Sequence, residues 1–117
     1  MPRVSATRAF AHDPDFRAGY ERAQSYIRIG TSLRDLREER GWTRSDLARM
    51  AGLDQADISR IEDGRWGKRG ISHEVLERLL PVFGLRISRS VHALPGAVMT
   101  PATREAIATI TEMMATE

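Results

Sequence analysis

The side chains in this chain that could do catalytic chemistry are few and badly placed for it. Histidines stand at positions 12, 73 and 92, scattered and without metal-ligand spacing. There is no cysteine, which excludes disulfides, thiolate metal sites and cysteine nucleophiles. Polar chemistry concentrates instead in GLDQADISRIEDG, Gly52 to Gly64, where Asp54, Asp57, Glu62 and Asp63 stand against the single Arg60. Between two glycines this is one short helix, and its carboxylates suit helix-terminus work. Asp54 fits an N-cap, accepting from otherwise unpaired amides, and Asp57, three residues on, can reach back in a capping box. No convergent polar cluster of the kind an enzyme needs is visible. Neither catalysis nor a cofactor is expected.

The elements that must hold this helix follow from length and pattern. At 117 residues the chain can bury one core with extensions, and 41% apolar with 29% charged residues is the composition of a folded protein. The net charge is +2 and the isoelectric point about 9.7, with Lys68 the sole lysine. Arginine preference fits phosphate recognition through a planar fork, although coding bias produces the same excess. No apolar stretch reaches the length of a membrane span or signal-peptide core, so a cytoplasmic location without membrane contact is expected.

The first dozen residues show no period and read as an arm. HDPDF then signals a helix, with Asp13 as N-cap, Pro14 at the first helical position and Asp15 at the positive end of the dipole. Phe16, Tyr20, Ala23 and Ile27 form an apolar stripe along it. Gly30-Thr31-Ser32 either interrupts this helix or is absorbed by it. A second run carries Ile29, Leu33 and Leu36 and stops at Gly41. TRSDLARMAG makes a helix of barely two turns, with Thr43 as N-cap, Asp46 as capping-box partner and Gly52 as stop. Ser72 caps a further helix carrying Val75, Leu76, Leu79, Leu80 and Phe83, which Pro81 should kink or tighten.

After Gly84 the period changes. Leu85, Ile87, Val91 and Ala93 alternate with polar residues, with Arg89 falling on the apolar side, and this spacing predicts a strand over 85–93. A lone strand must pair with something, and no second strand is visible; pairing across a dimer or onto a partner's sheet is expected. Thr100 and Pro101 open a last helix with Ile107, Ile110 and Met114 as its apolar stripe, packed on the body or used for self-association. An all-helical fold is expected, with this short strand.

Two short helices joined by the tight link MAGLD form the layout of a helix-turn-helix, with small Ala48 and Ala51 at the crossing and Leu47, Leu53, Ile58 and Ile61 locking it to the scaffold. LRDLREERGWTRSDLARMAGLDQADISRIEDG resembles the helix-turn-helix of the xenobiotic-response-element family, the phage-repressor type. The resemblance rests on an arginine before xxxG, an LAxxAG helix and ISRIEDG, and runs from about Ile29 to Ile87. It departs at Arg44, where the family usually has glutamine, and at Asp57, where it commonly has a small hydroxyl residue.

The resemblance implies a five-helix, lambda-repressor-like domain over 29–87, an arm and helix over 1–28, and a strand, linker and C-terminal helix over 88–117. It implies that the helix from Asp54 to Asp63 lies in the major groove. Gln55 would then read a base, adenine being suited to its amide, Ala56 could meet a thymine methyl, and Arg60 would reach a neighbouring base or phosphate. Thr43 and Arg44 would clamp phosphate, with Arg65 and Lys68 supplying attraction. Asp57 would cap, or accept from a cytosine amino group. Each reader also has a plainer role as a solvated helix residue, and Trp66 suits covering the core better than stacking on DNA. Arg49 and Arg78 read as surface. The resemblance further pairs Glu62 with Arg37 as a shielded structural ion pair.

Ahead of this domain, DPDFRAGYERA resembles the start of HigA-like antitoxins, which neutralise ribonuclease toxins of the HigB/RelE type and repress their own operon. Phe16, Arg17 and Tyr20 would then face a toxin. The expected partners are an operator duplex, a second copy of the chain and such a toxin; a stand-alone regulator is the alternative.

Overall fold

A computed structural model describes residues 13–65, 72–88 and 90–115. The arm over 1–12, Trp66, Lys68 and Arg89 therefore lie outside the described residues. Helix α1 runs from Pro14 to Glu39 without a break, its first amides at Asp15 and Phe16 capped by the Asp13 carboxylate. Gly30-Thr31-Ser32 is absorbed rather than used as a stop, because the small residues Gly30 and Ser32 face inward and are buried. At about 1.5 Å per residue, 26 residues span roughly 39 Å, longer than the core is wide. Only the second half of α1 carries Ile29, Leu33 and Leu36 into the core. The first half projects past it, leaving Tyr20 and Ile27 exposed, so the expected stripe is here a solvent-facing one.

Helices α2 (Arg44–Ala51) and α3 (Gln55–Glu62) follow. Their turn is closed by Gly52 at φ +69°, a left-handed conformation that favours glycine, and by the Leu53 amide donating to Ala48 O at 2.8 Å. Leu47, Ala48, Ala51, Ile58 and Ile61 are all buried, which seats the pair on α1. Ser72 caps α4 (His73–Leu79) through the Val75 amide at 3.1 Å. Pro81 then tightens the chain into a 3-10 turn, Leu80–Phe83.

The single strand expected over 85–93 is instead two strands that pair with each other. β1 (Leu85–Ile87) and β2 (Val91–Ala93) form an antiparallel hairpin with Leu85 opposite Ala93 and Ile87 opposite Val91. The polar segment between them is the turn, where the Ser88 amide donates to Ser90 O at 2.9 Å. Pairing within the chain satisfies the backbone groups on the facing edges of the two strands. Helix α5 (Pro101–Ala115), capped by Thr100, packs against α1 and β2, burying Ala106, Ile110 and Met113. The fold is all-helical apart from this hairpin, and no helix among the described residues is long and apolar enough to cross a membrane.

Candidate nucleic-acid interface

The site is built on how α3 is held. Its inner face carries Ile58 and Ile61 into the core, and beside them Glu62, whose side chain is 1% exposed. An ionised group there needs partners, and two arginines supply them. Arg37 donates through Nε to Glu62 Oε2 at 2.7 Å and through Nη2 to Oε1 at 2.9 Å, while its Nη1 donates to Trp42 O at 2.8 Å. The hydrogen bond to Glu62 raises the Arg37 pKa above its ordinary value despite the opposing effect of burial. Arg44 reaches the same carboxylate, its Nε donating to Glu62 Oε1 at 3.2 Å. No buried side-chain nitrogen or oxygen among the described residues lacks a partner.

α1 also approaches α3 very closely at Gly30. A Cβ built there would lie 2.3 Å from Ile61 O and 2.9 Å from Glu62 O, so only glycine allows this seating.

The N-terminus of α2 is a complete capping box. Thr43 Oγ1 accepts from the Asp46 amide at 3.0 Å and the Asp46 carboxylate accepts from the Thr43 amide at 2.9 Å. Hydrogen bonding from Thr43, first its backbone amide and then its side chain, holds the Asp46 carboxyl below its ordinary range, with the Arg49 cation adding to the effect.

On the outer face of α3, Gln55, Ala56 and Arg60 are exposed. Gln55 Oε1 accepts from Ser45 Oγ at 3.1 Å, which braces its amide across the two helices. Asp57 pairs with Arg60, and its other oxygen accepts from the Asp54 amide at 3.4 Å. The four carboxylates of the segment are thus each placed: Asp54 at the N-cap, Asp57 in the box and on Arg60, Glu62 under Arg37, and Asp63 between Arg44 and Arg65.

Arg44 differs from a cation reaching outward from a helix start. Besides Glu62 it holds Ser59 Oγ at 3.3 Å and Asp63 Oδ1 at 3.4 Å, so it cross-links α2 to α3. Arg65, 68% exposed, sits 3.1 Å from Asp63 and is the more open cation. Arg78 is exposed as expected, yet its Nη1 donates to Gly52 O at 3.2 Å and so braces the turn from α4. Ser45, Arg78 and the Trp42 carbonyl escaped sequence reasoning because their partners lie on other elements, with no local spacing to announce them.

The residues expected to face a toxin lie apart from this constellation, on the projecting half of α1. Phe16 and Tyr20 stack with ring centroids 6.4 Å apart. Tyr20, Tyr26 and Arg22 line an open groove of about 380 Å³ reaching Glu112 and Met113 of α5.

Comparison with known proteins places this geometry. The helix-turn-helix domain family matches residues 28–90, more than half of the chain. The chain is 34% identical over 61 residues to a competence pilus inhibition repressor of Acinetobacter baylyi, covering 52% of this chain and 53% of that protein. It is 35% identical over 75 residues to a predicted HTH-type transcriptional regulatory protein of Pyrococcus abyssi, covering 63% of this chain and 23% of that one. It therefore spans about half the length of the first relative and less than a quarter of the second. No solved structure matches it.

Proposed function

Because this chain belongs to the helix-turn-helix domain family, we propose that it is a sequence-specific DNA-binding transcriptional repressor acting as a homodimer, and the antitoxin of a HigB/RelE-type ribonuclease. DNA-binding transcriptional regulation is what the domain and both relatives support. The observation that carries it is the outer face of α3: Gln55, Ala56 and Arg60 point away from a helix that the Arg37 and Glu62 pair locks to the scaffold. Gln55 and Ala56 meet base edges, while Thr43, Arg65 and Lys68 hold phosphates. Arg44 joins them by exchanging Asp63 for a phosphate oxygen, keeping its bond to Glu62. Two copies set their α3 helices about one turn of DNA apart, ~34 Å, on a near-palindromic operator. Repression follows from occlusion of the promoter, without chemistry.

The division of labour follows the chain: 1–28 for the toxin, 29–87 for DNA, 88–117 as a brace. The antitoxin half of the proposal is supported by the projecting part of α1, where Phe16, Arg17 and Tyr20 offer an aromatic anchor of the kind that dominates protein interfaces. A stand-alone regulator is the second reading; it is favoured by the two relatives, whose names specify regulation and no toxin. Co-expression with the neighbouring small open reading frame separates the two. Co-purification, with growth arrest when the neighbour is expressed alone, supports the antitoxin; promoter binding with no captured neighbour supports the stand-alone regulator.

A further inference from the structure

Asp57 and Arg60 stand three residues apart on α3 with side chains 35% and 54% exposed. An exposed ion pair of this kind adds little to stability, so the fold does not require it. Its geometry is nevertheless specific. Asp57 Oδ1 takes Arg60 Nη2, and Oδ2 accepts from the Asp54 amide. With both oxygens engaged, the carboxylate is tied to its own helix. The neighbouring reader is treated the same way, since Ser45 braces Gln55.

We infer that Asp57 is a positioning residue: it orients Arg60 to read a guanine at one fixed position of each half-site, and contacts no base itself. This inference rests on the DNA-binding reading. An arginine without a brace must give up rotamer freedom on binding, and it can turn toward phosphate as readily as toward a base. A carboxylate within reach on the same helix removes both options. One Nη2 proton goes to Asp57, and the remaining Nη1 and Nη2 protons form a fork of donors only. Guanine is the base that answers such a fork, because O6 and N7 both accept, whereas adenine presents an amino donor beside N7. Asp57 also repels a phosphate approaching this part of the helix, which penalises registers that would let Arg60 slip onto the backbone.

The test selects the full chain against a random duplex library and then measures affinity for all four bases at the selected positions, for wild type, Arg60→Ala, Asp57→Asn and Asp57→Ser. Asparagine and serine can still accept at the cap but carry no charge, and two variants guard against a folding defect in one. Expected is a guanine preference on the order of ten-fold or more at one position, abolished by Arg60→Ala. Both Asp57 variants should erode it at the same position, with the melting temperature lowered by no more than the few degrees that a weakened cap costs. A guanine preference untouched by the Asp57 variants, or a preference lost at a different position, overturns the inference; the latter makes Asp57 a reader in its own right. A wild-type protein that enriches no sequence brings down the DNA-binding reading as well, a distinct result.

Discussion

Arg37→Ala tests how the reading helix is held. Glu62 is 1% exposed and Arg37 10%, so neither charge can fall back on water. Truncating one partner of a buried pair costs ~3–5 kcal/mol, because the other charge stays behind. Here Arg44 Nε remains 3.2 Å from Glu62 Oε1 and offsets part of that loss, while Trp42 O loses the Arg37 donor at 2.8 Å. The expected cost is therefore near the lower limit, about 3 kcal/mol, or a melting temperature lower by roughly 10–20 °C. Arg44→Ala should cost only ~1 kcal/mol, since that side chain is 31% exposed. Adding Glu62→Ala to Arg37→Ala should cost less than the sum, with a coupling of about 2 kcal/mol. The sign with pH follows from the raised Arg37 pKa: its contribution is fully present below the unfolded value, so the deficit should stay constant from about pH 6 to 9. Thermal denaturation of the four variants, followed by circular dichroism, measures all of this. An Arg37→Ala protein that melts with wild type but binds DNA weakly would refute the reasoning and make Arg37 a phosphate contact.

Gly30→Ala should destabilise by at least ~2 kcal/mol in the same assay, because its Cβ meets Ile61 O, a backbone atom that cannot swing aside; a neutral result would mean that α1 and α3 can separate freely. Thr43→Ala should lose a cap of ~1 kcal/mol at neutral pH. Since the Asp46 carboxyl is held below its ordinary range, first by the Thr43 amide, its stabilisation is present above that range and lost as pH falls through the lowered value, so the deficit of an Asp46→Asn variant should shrink in melts taken under acid conditions. Phe16→Ala with Tyr20→Ala should abolish capture of the co-expressed neighbour while promoter affinity stays within two-fold, about 0.4 kcal/mol, measured by pull-down and fluorescence anisotropy; loss of both together would place α1 within the DNA-binding scaffold.

The parts of the fold that local chemistry decides were legible in the sequence. Asp13 with Pro14, Thr43 with Asp46, and Gly52 mark helix ends through bonds spanning five residues or fewer, and each cap lies where its spacing predicted. Pro81 likewise announced its 3-10 turn. What escaped was decided at a distance. Gly30 left open whether the helix was interrupted there, because glycine is a poor helix former; it sits in α1 to let another backbone in. The hairpin was hidden because residues 88–90 offer no glycine, asparagine or proline to announce a turn. At the candidate site, the pairing of Arg37 with Glu62 followed from resemblance, whereas Arg44 took an inward course that no local pattern encodes. Its neighbours Ser59, Glu62 and Asp63 lie at least 15 residues away in sequence.

The central claim is that the outer face of α3 reads operator DNA. It is tested most directly by fluorescence anisotropy of the full chain on a duplex from its own upstream region, against a scrambled duplex, with wild type and Gln55→Ala compared at two salt concentrations. The expected result is tight binding to the upstream duplex that weakens steeply with salt, by nearly one log unit of affinity per log unit of salt for each phosphate neutralised. Gln55→Ala should lose about 1–3 kcal/mol on that duplex only, with the salt slope unchanged. Equal affinity for both duplexes, or a Gln55→Ala protein indistinguishable from wild type, would contradict it.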